Sequence, residues 1–108
     1  MPTTLGELEQ LVLLALLRLG PDAYGVSVQQ ELEREARREL TLGTVYKTLV
    51  RLEEKRLVTT HLSAATAERG GRRKKCYRVL PAGDRALRHS LDAIRRLADG
   101  LDPALELR

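Results

Sequence analysis

Leucine and its small apolar companions recur along the first twenty residues at intervals of three and four: Leu5, Leu8, Leu11, Val12, Leu14, Ala15 and Leu19. That spacing predicts a helix over Leu5 to Leu19, and Leu13, Leu16 and Leu17 widen its apolar stripe until most of its sides need cover. Thr4 with Glu7 three residues on reads as a capping box, and Gly20-Pro21-Asp22 reads as the stop and turn. A second helix is predicted from Gly25 to Arg38, with Val28 and Leu32 inward beside Val26. Its wet face is expected to carry Glu31, Glu33, Arg34, Glu35, Arg37 and Arg38. The third helix opens after Thr41, a good N-cap, and runs to about Arg56 with Val45, Leu49 and Leu52 as its core stripe.

Beyond this point the period changes. Leu57-Val58-Thr59-Thr60-His61-Leu62-Ser63 is rich in β-branched residues and predicts a strand. A polar, glycine-containing stretch from Ala64 to Lys74 separates it from a second short strand around Cys76-Tyr77-Arg78-Val79-Leu80. The pair reads as a hairpin with a long, flexible tip. Pro81 suits the first position of a last helix, where a missing N–H costs nothing. That helix is predicted to reach Asp99-Gly100. Its Leu87, Leu91, Ile94, Ala98 and Leu101 repeat at 4-3-4-3, a coiled-coil seam of about two heptads. Nothing else in the domain is left to cover this seam, whereas a second copy of the same helix would, which predicts a homodimer. The fold class that follows is mainly α with a small β-hairpin: a winged helix-turn-helix over residues 1–80, then a C-terminal dimerisation helix and tail over 81–108.

Composition narrows what such a chain can do. Its 108 residues set a prior of one domain, and 43% apolar with 31% charged residues is a globular mixture. With no Trp or Phe, the core is expected to be aliphatic. The single cysteine, Cys76, cannot close an internal disulfide, no secretory leader is seen, and the apolar run from Leu11 to Leu17 is far too short to span a bilayer. The expected compartment is the cytoplasm, with no membrane partner. The net charge of +4 is local: between Thr66 and Arg78, six cations stand against Glu68 alone, giving +5, so the rest of the chain sums to −1. No Ser-His-Asp order, phosphate-binding glycine loop or acid pair suits catalysis, and Cys76, His61 and His89 are too scattered for a metal site. No enzyme activity, metal or cofactor is therefore expected. Basic neighbours make Cys76 a candidate for a depressed thiol pKa, against the simpler reading as a small strand residue.

Leu5-Gly6-Glu7-Leu8-Glu9 with the leucines after it, Leu19-Gly20-Pro21-Asp22-Ala23-Tyr24-Gly25, Leu42-Gly43-Thr44-Val45-Tyr46 with Leu49 and Arg51-Leu52-Glu53, the wing with Tyr77-Arg78, and Pro81-Ala82-Gly83 occur in that order. Over about residues 5–98 this succession resembles the PadR family of bacterial transcriptional regulators, in its short form with one C-terminal helix. The resemblance implies a dimer on an inverted-repeat operator, usually a repressor, which often releases DNA when a small molecule binds near the dimer interface. It also implies that the segment containing Gly43, Thr44 and Tyr46, with Lys47 beside it, opens the recognition helix. Two positions depart from the family pattern. Arg56 stands where a glycine usually follows that helix, and an arginine held at positive φ costs on the order of 1 kcal/mol. Leu80 stands where a capping Thr is common, a loss of about 1 kcal/mol.

The candidate DNA contacts are Gly43, Thr44, Tyr46, Lys47, Thr48 and Arg51 on the third helix, together with Arg69, Arg72, Arg73, Lys74 and Lys75 in the wing. No exposed position of that helix before Glu53 is acidic, and wing cations that neutralise phosphates gain from counterion release. Tyr46, one residue past Val45, is expected at the edge of the core stripe with its hydroxyl toward a phosphate, while Tyr24 and Tyr77 are expected in the core. The expected partners are double-stranded DNA, a second copy of the chain through Leu87, Leu91, Ile94, Ala98 and Leu101, and a small-molecule effector whose identity the sequence does not give. The competing function is a winged-helix protein-interaction module whose basic wing binds an acidic partner. The acid-free, Thr- and Lys-bearing face of the third helix, which such a module does not need, favours a sequence-specific regulator on duplex DNA.

Overall fold

The computed structural model describes residues 4–64, 73–101 and 103–105. Helices α1 (Glu7–Leu19), α2 (Gly25–Ala36) and α3 (Leu42–Glu54) lead into strands β1 (Val58–Leu62) and β2 (Lys75–Val79), followed by α4 (Pro81–Ala98) and a short 3-10 turn over Pro103–Leu105. The order is the one the hydrophobic pattern predicts. Val12, Leu13 and Leu16 of α1, Val28 and Leu32 of α2, and Val45, Leu49 and Leu52 of α3 form one core, closed by Leu57, Val58 and Tyr77 from the hairpin. Each such side chain contributes about 1.5–3 kcal/mol by leaving water. No described helix is long and apolar enough to cross a membrane.

Two polar details depart from the pattern. The cap of α1 is Gly6 rather than Thr4: the Gly6 amide donates to Glu9 Oε1 at 2.8 Å. The Thr4 carbonyl instead accepts from the Lys55 ammonium at 3.1 Å, and the same ammonium lies 2.7 Å from Glu9 Oε2, so the start of α1 is tied to the end of α3. Burial pushes the Glu9 carboxyl up, but the Gly6 amide and Lys55 more than offset it and hold it below the ordinary carboxylate range. Glu31, assigned to the wet face of α2, is buried. Arg18 of α1 donates to it at 2.7 Å and Arg34 pairs with it as well. Helical spacing alone sends a glutamate to solvent; the approach of α1 supplies the cation that lets this carboxylate be covered.

The turn after α3 keeps the geometry a glycine would give it. Arg56 N donates to the Glu53 carbonyl and Leu57 N to the Leu52 carbonyl, both at 2.9 Å, and Arg56 sits at φ +59°. These are the paired bonds of a Schellman motif, with buried Leu52 and Leu57 as its apolar contact. The motif holds the arginine in a conformation that costs on the order of 1 kcal/mol.

The hairpin is antiparallel, with Val58 opposite Val79 and Leu62 opposite Lys75. On its other edge β2 takes up the α1–α2 turn: Tyr77 N donates to the Ala23 carbonyl at 2.8 Å, and Tyr24 bridges to Cys76. The wing is therefore joined by backbone bonds to the start of α2. Its tip, with Arg69, Gly70, Gly71 and Arg72, lies outside the described residues.

Leu80 gives α4 no side-chain cap, and Pro81 opens the helix. Gly83 allows the close approach that follows, since a Cβ there would stand 2.3 Å from the Leu57 carbonyl oxygen. The seam expected to be uncovered along its whole length is divided. Leu87 is buried in the protomer's own core, and Leu91 packs against that core. Here α1 packs against α4, and Leu14 and Leu17 face Leu87 and Leu91 across a cleft of about 240 Å³. Farther on, Ile94, Leu97 and Leu101 are 46%, 81% and 55% exposed. The radius of gyration, 15.4 Å, exceeds the roughly 13 Å of a compact chain of this length. Ile94 still lines a cleft with Thr4, Leu5 and Gln10, and the last turn of α4, with Leu97, stands clear of the body.

Candidate nucleic-acid interface

The site is built on α3, which Thr41 starts. Thr41 Oγ1 accepts from the Thr44 amide at 3.1 Å and lies 2.9 Å from Thr44 Oγ1. From this cap the inner stripe is Val45, Thr48, Leu49 and Leu52, all buried. Thr48, expected among the DNA contacts, belongs to that stripe. Three residues after Val45, it falls on the core face, and its hydroxyl donates to the Thr44 carbonyl at 3.0 Å. Gly43, Tyr46, Lys47 and Arg51 are exposed, and Thr44 is half-buried.

Tyr46 lies at the edge of the stripe, as expected, with a further residue fixing its place. Its ring lies across Gly25 at the start of α2, where an added Cβ would meet the ring at 2.4 Å. The Tyr24-Gly25 pair thus includes a glycine whose missing side chain is the seat of a tyrosine on α3. Gly43 is the opposite case: the nearest atom to an added Cβ is Thr41 Oγ1 at 3.9 Å, so nothing inside the protein requires a glycine there. Val50 was not among the sequence candidates, yet it is 45% exposed on the outer face of α3. The signal was available in its spacing, since Gly43, Tyr46 or Lys47, and Val50 stand three to four residues apart.

The exposed positions from Thr41 to Arg51 include no acid. Glu53, the first acid of α3, is half-buried and lies 3.9 Å from Lys75 of the wing. From Gly43 to Arg51 the helix rises about 12 Å, which is about the width of the B-DNA major groove.

Arg73, Lys74 and Lys75 are exposed at the base of the wing, and Arg69 and Arg72 lie outside the described residues. Two bonds pin this base: Ser63 N donates to the Lys74 carbonyl and Lys74 N to Ser63 Oγ, both at 2.8 Å. Tyr77 is in the core, as expected, but Tyr24 is only half-buried and its ring carries the Lys74 ammonium at 4.1 Å, a cation–π contact. Cys76 is buried. Burial pushes its thiol up and Asp22 adds to this, with Lys74 offsetting them only in part, so the basic neighbours do not make it a thiolate. Among the described residues, no group of three His, Cys, Asp or Glu side chains could hold a metal ion.

A core-seated helix whose outer face carries no acid from Thr41 to Arg51, preceded by a supporting helix and followed by a basic hairpin, defines a winged helix-turn-helix protein. Residues 13–89 match the profile described as the transcriptional regulator PadR-like family, and the chain belongs to that family of transcriptional regulators. Solved structures agree. A PadR family transcription regulator from Clostridium difficile is 25% identical, with a TM-score of 0.71 over 85% of this chain and 91% of its own. One from Eggerthella lenta is 29% identical, with a TM-score of 0.66 over 94% of this chain and 88% of its own. Bacillus subtilis PadR, solved in complex with operator DNA, shares the fold at 20% identity and a TM-score of 0.64, over 79% of this chain and 48% of its own. A search of curated proteins found no significant match.

Proposed function

We propose that this regulator is a sequence-specific, duplex-DNA-binding repressor that acts as a homodimer on an inverted repeat. The observation that carries the proposal is the outer face of α3, which is free of acids from Thr41 to Arg51 while the inner face is locked into the core. A polyanion can approach such a face without repulsion, and a rigid helix can hold its side chains in register with base edges. Gly43 supports the same reading: the room left by its missing side chain is on the outside, where a DNA backbone would pass. Arg73, Lys74 and Lys75 flank the helix as phosphate contacts. For the dimer, the support is the exposed Ile94 and Leu97 near the end of α4 and the exposed Leu101 just after it, with Ala98 between them. Leu91 lies at the inner edge of this interface and Leu87 falls outside it.

The test is selection of binding sites from random duplex DNA, followed by titration of the selected and a scrambled duplex at one salt concentration. A symmetric dimer is expected to select a palindrome with half-site centres about 34–36 Å apart, or a multiple of that. Lys47→Ala is expected to cost roughly 1–3 kcal/mol on the selected site and less on the scrambled one. If no sequence is enriched, the acidic-partner module takes the place of the operator-binding repressor.

A further inference from the structure

We propose that Val50 is a specificity-determining residue that packs against the C5-methyl group of a thymine in the major groove. The proposal rests on the DNA-reading role of α3 given above and goes beyond it by naming a base. An isolated exposed valine means little on a protein surface; Val50 is distinguished by its neighbours. It is 45% exposed on the stripe that runs through Gly43, Tyr46 and Lys47, with exposed Arg51 beside it and Glu54 one turn farther on. Every large side chain on the opposite stripe is buried, so the helix is fully seated on the core without Val50. A β-branched residue at a solvent-facing helical position helps neither helix formation nor solubility.

The chemistry of the groove supplies a partner for it. Three of the four base identities present only hydrogen-bonding atoms at the positions a side chain meets in the major groove, and thymine alone adds a methyl group. Val50 has no donor or acceptor in its side chain, so it can discriminate only through that methyl. Lys47, one turn before it, is a donor suited to the O6 and N7 acceptors of guanine. At 1.5 Å of rise per residue, three residues separate the two side chains by about 4.5 Å along the helix, on the order of the base-pair rise of about 3.4 Å. Each half-site is therefore expected to hold a thymine one or two base pairs from the guanine that Lys47 reads. Lys47 and Arg51 beside the valine favour DNA over an apolar protein partner here, with the one acid of this stripe, Glu54, a turn farther toward the C-terminal end of the helix.

The experiment replaces each thymine of the selected operator in turn by uracil, which removes the methyl and keeps every hydrogen-bonding atom. The replaced duplexes are titrated with the wild type and with Val50→Ala. For the wild type, one thymine per half-site is expected to lose about fourfold in affinity, the value of one methyl group withdrawn from an apolar contact. Val50→Ala is expected to bind the thymine operator correspondingly more weakly and to be indifferent to uracil at that position. Its thermal stability and its affinity for scrambled duplex should stay near those of the wild type, which separates base reading from a structural effect. If the wild type prefers the operator over scrambled duplex but no uracil effect depends on Val50, the thymine contact is overturned and the role of α3 stands. If the wild type shows no preference between the duplexes, both are overturned.

Discussion

Helices α3 and α4 both seat one face on the same core and leave another uncovered, yet the uncovered faces differ in kind. On α3 it bears Gly43, Tyr46, Lys47, Val50 and Arg51, mixed polar and cationic with one apolar residue among them. On the distal part of α4 it bears Ile94 and Leu97, and Leu101, expected on the same seam, follows just beyond the helix, which ends at Ala98 with Asp99 extended. Hydrophobic periodicity marks both as amphipathic and cannot say which apolar positions the protomer itself will cover. A face rich in cations suits a phosphate backbone, whereas a projecting apolar seam suits a second copy of itself. A two-fold dimer built on one helix would present the other twice, which is the geometry an inverted repeat requires.

The sharpest way to break this contrast is at α4. Ile94→Glu with Leu97→Glu is expected to convert a dimer into a monomer in sedimentation at micromolar concentration. Operator affinity should fall by about 100-fold or more, because the second half-site loses its tether. Leu87→Glu should instead unfold the protomer, since Leu87 is buried in its own core. A wild type that sediments as a monomer would remove the dimer altogether.

Next in size is the wing. Replacing Arg73, Lys74 and Lys75 by alanine should weaken binding to operator and scrambled duplex alike. The log–log salt slope should become shallower by about 0.9 for each phosphate that is no longer neutralised. An unchanged slope would place these cations off the DNA backbone.

Two substitutions at the ends of α3 are expected to separate folding from reading. Arg56→Gly relieves a left-handed arginine and should raise stability to urea by about 1 kcal/mol with little change in operator affinity. Gly43→Ala should also stabilise the fold, by up to about 1 kcal/mol, because nothing in the protein crowds the position. It should nevertheless weaken operator binding. Stabilisation by Gly43→Ala without any loss of affinity would show that the outer space at Gly43 is unused.

The smallest effect belongs to the tie between α1 and α3. The Glu9 carboxyl is held below its ordinary value, so its contribution to stability is present above the unfolded carboxyl pKa of about 4.5 and is lost as pH falls through the lower folded value. Lys55→Met removes the cation 2.7 Å away, and the variant should lose less stability than the wild type on acidification below about pH 4.5. Identical acid limbs in urea denaturation would show that Lys55 does not set this dependence.

Most of the architecture could be read from local pattern, because helix and strand periods, the Thr41 cap and Pro81 act within a few residues of themselves. Lys47 and Arg51 could be placed on the exposed side of α3 for the same reason. Wherever the outcome depended on what another element brings near, that pattern was insufficient. Glu31 is buried because Arg18 reaches it from another helix, and Leu87 is covered because α1 lies against α4. Tyr24 is held under Lys74 by the docking of the α1–α2 turn on β2.

By itself the sequence determined the order of elements, the position of the reading helix and the charge of the wing, since periodicity, capping and charge are properties of neighbours along the chain. Tertiary structure alone decided which half of the α4 seam is free, that Glu31 would be covered, and that the ring of Tyr46 would lie across Gly25. Those outcomes depend on residues far apart in the chain meeting in space, where burial and hydrogen bonding across elements outweigh the local preference of any single residue.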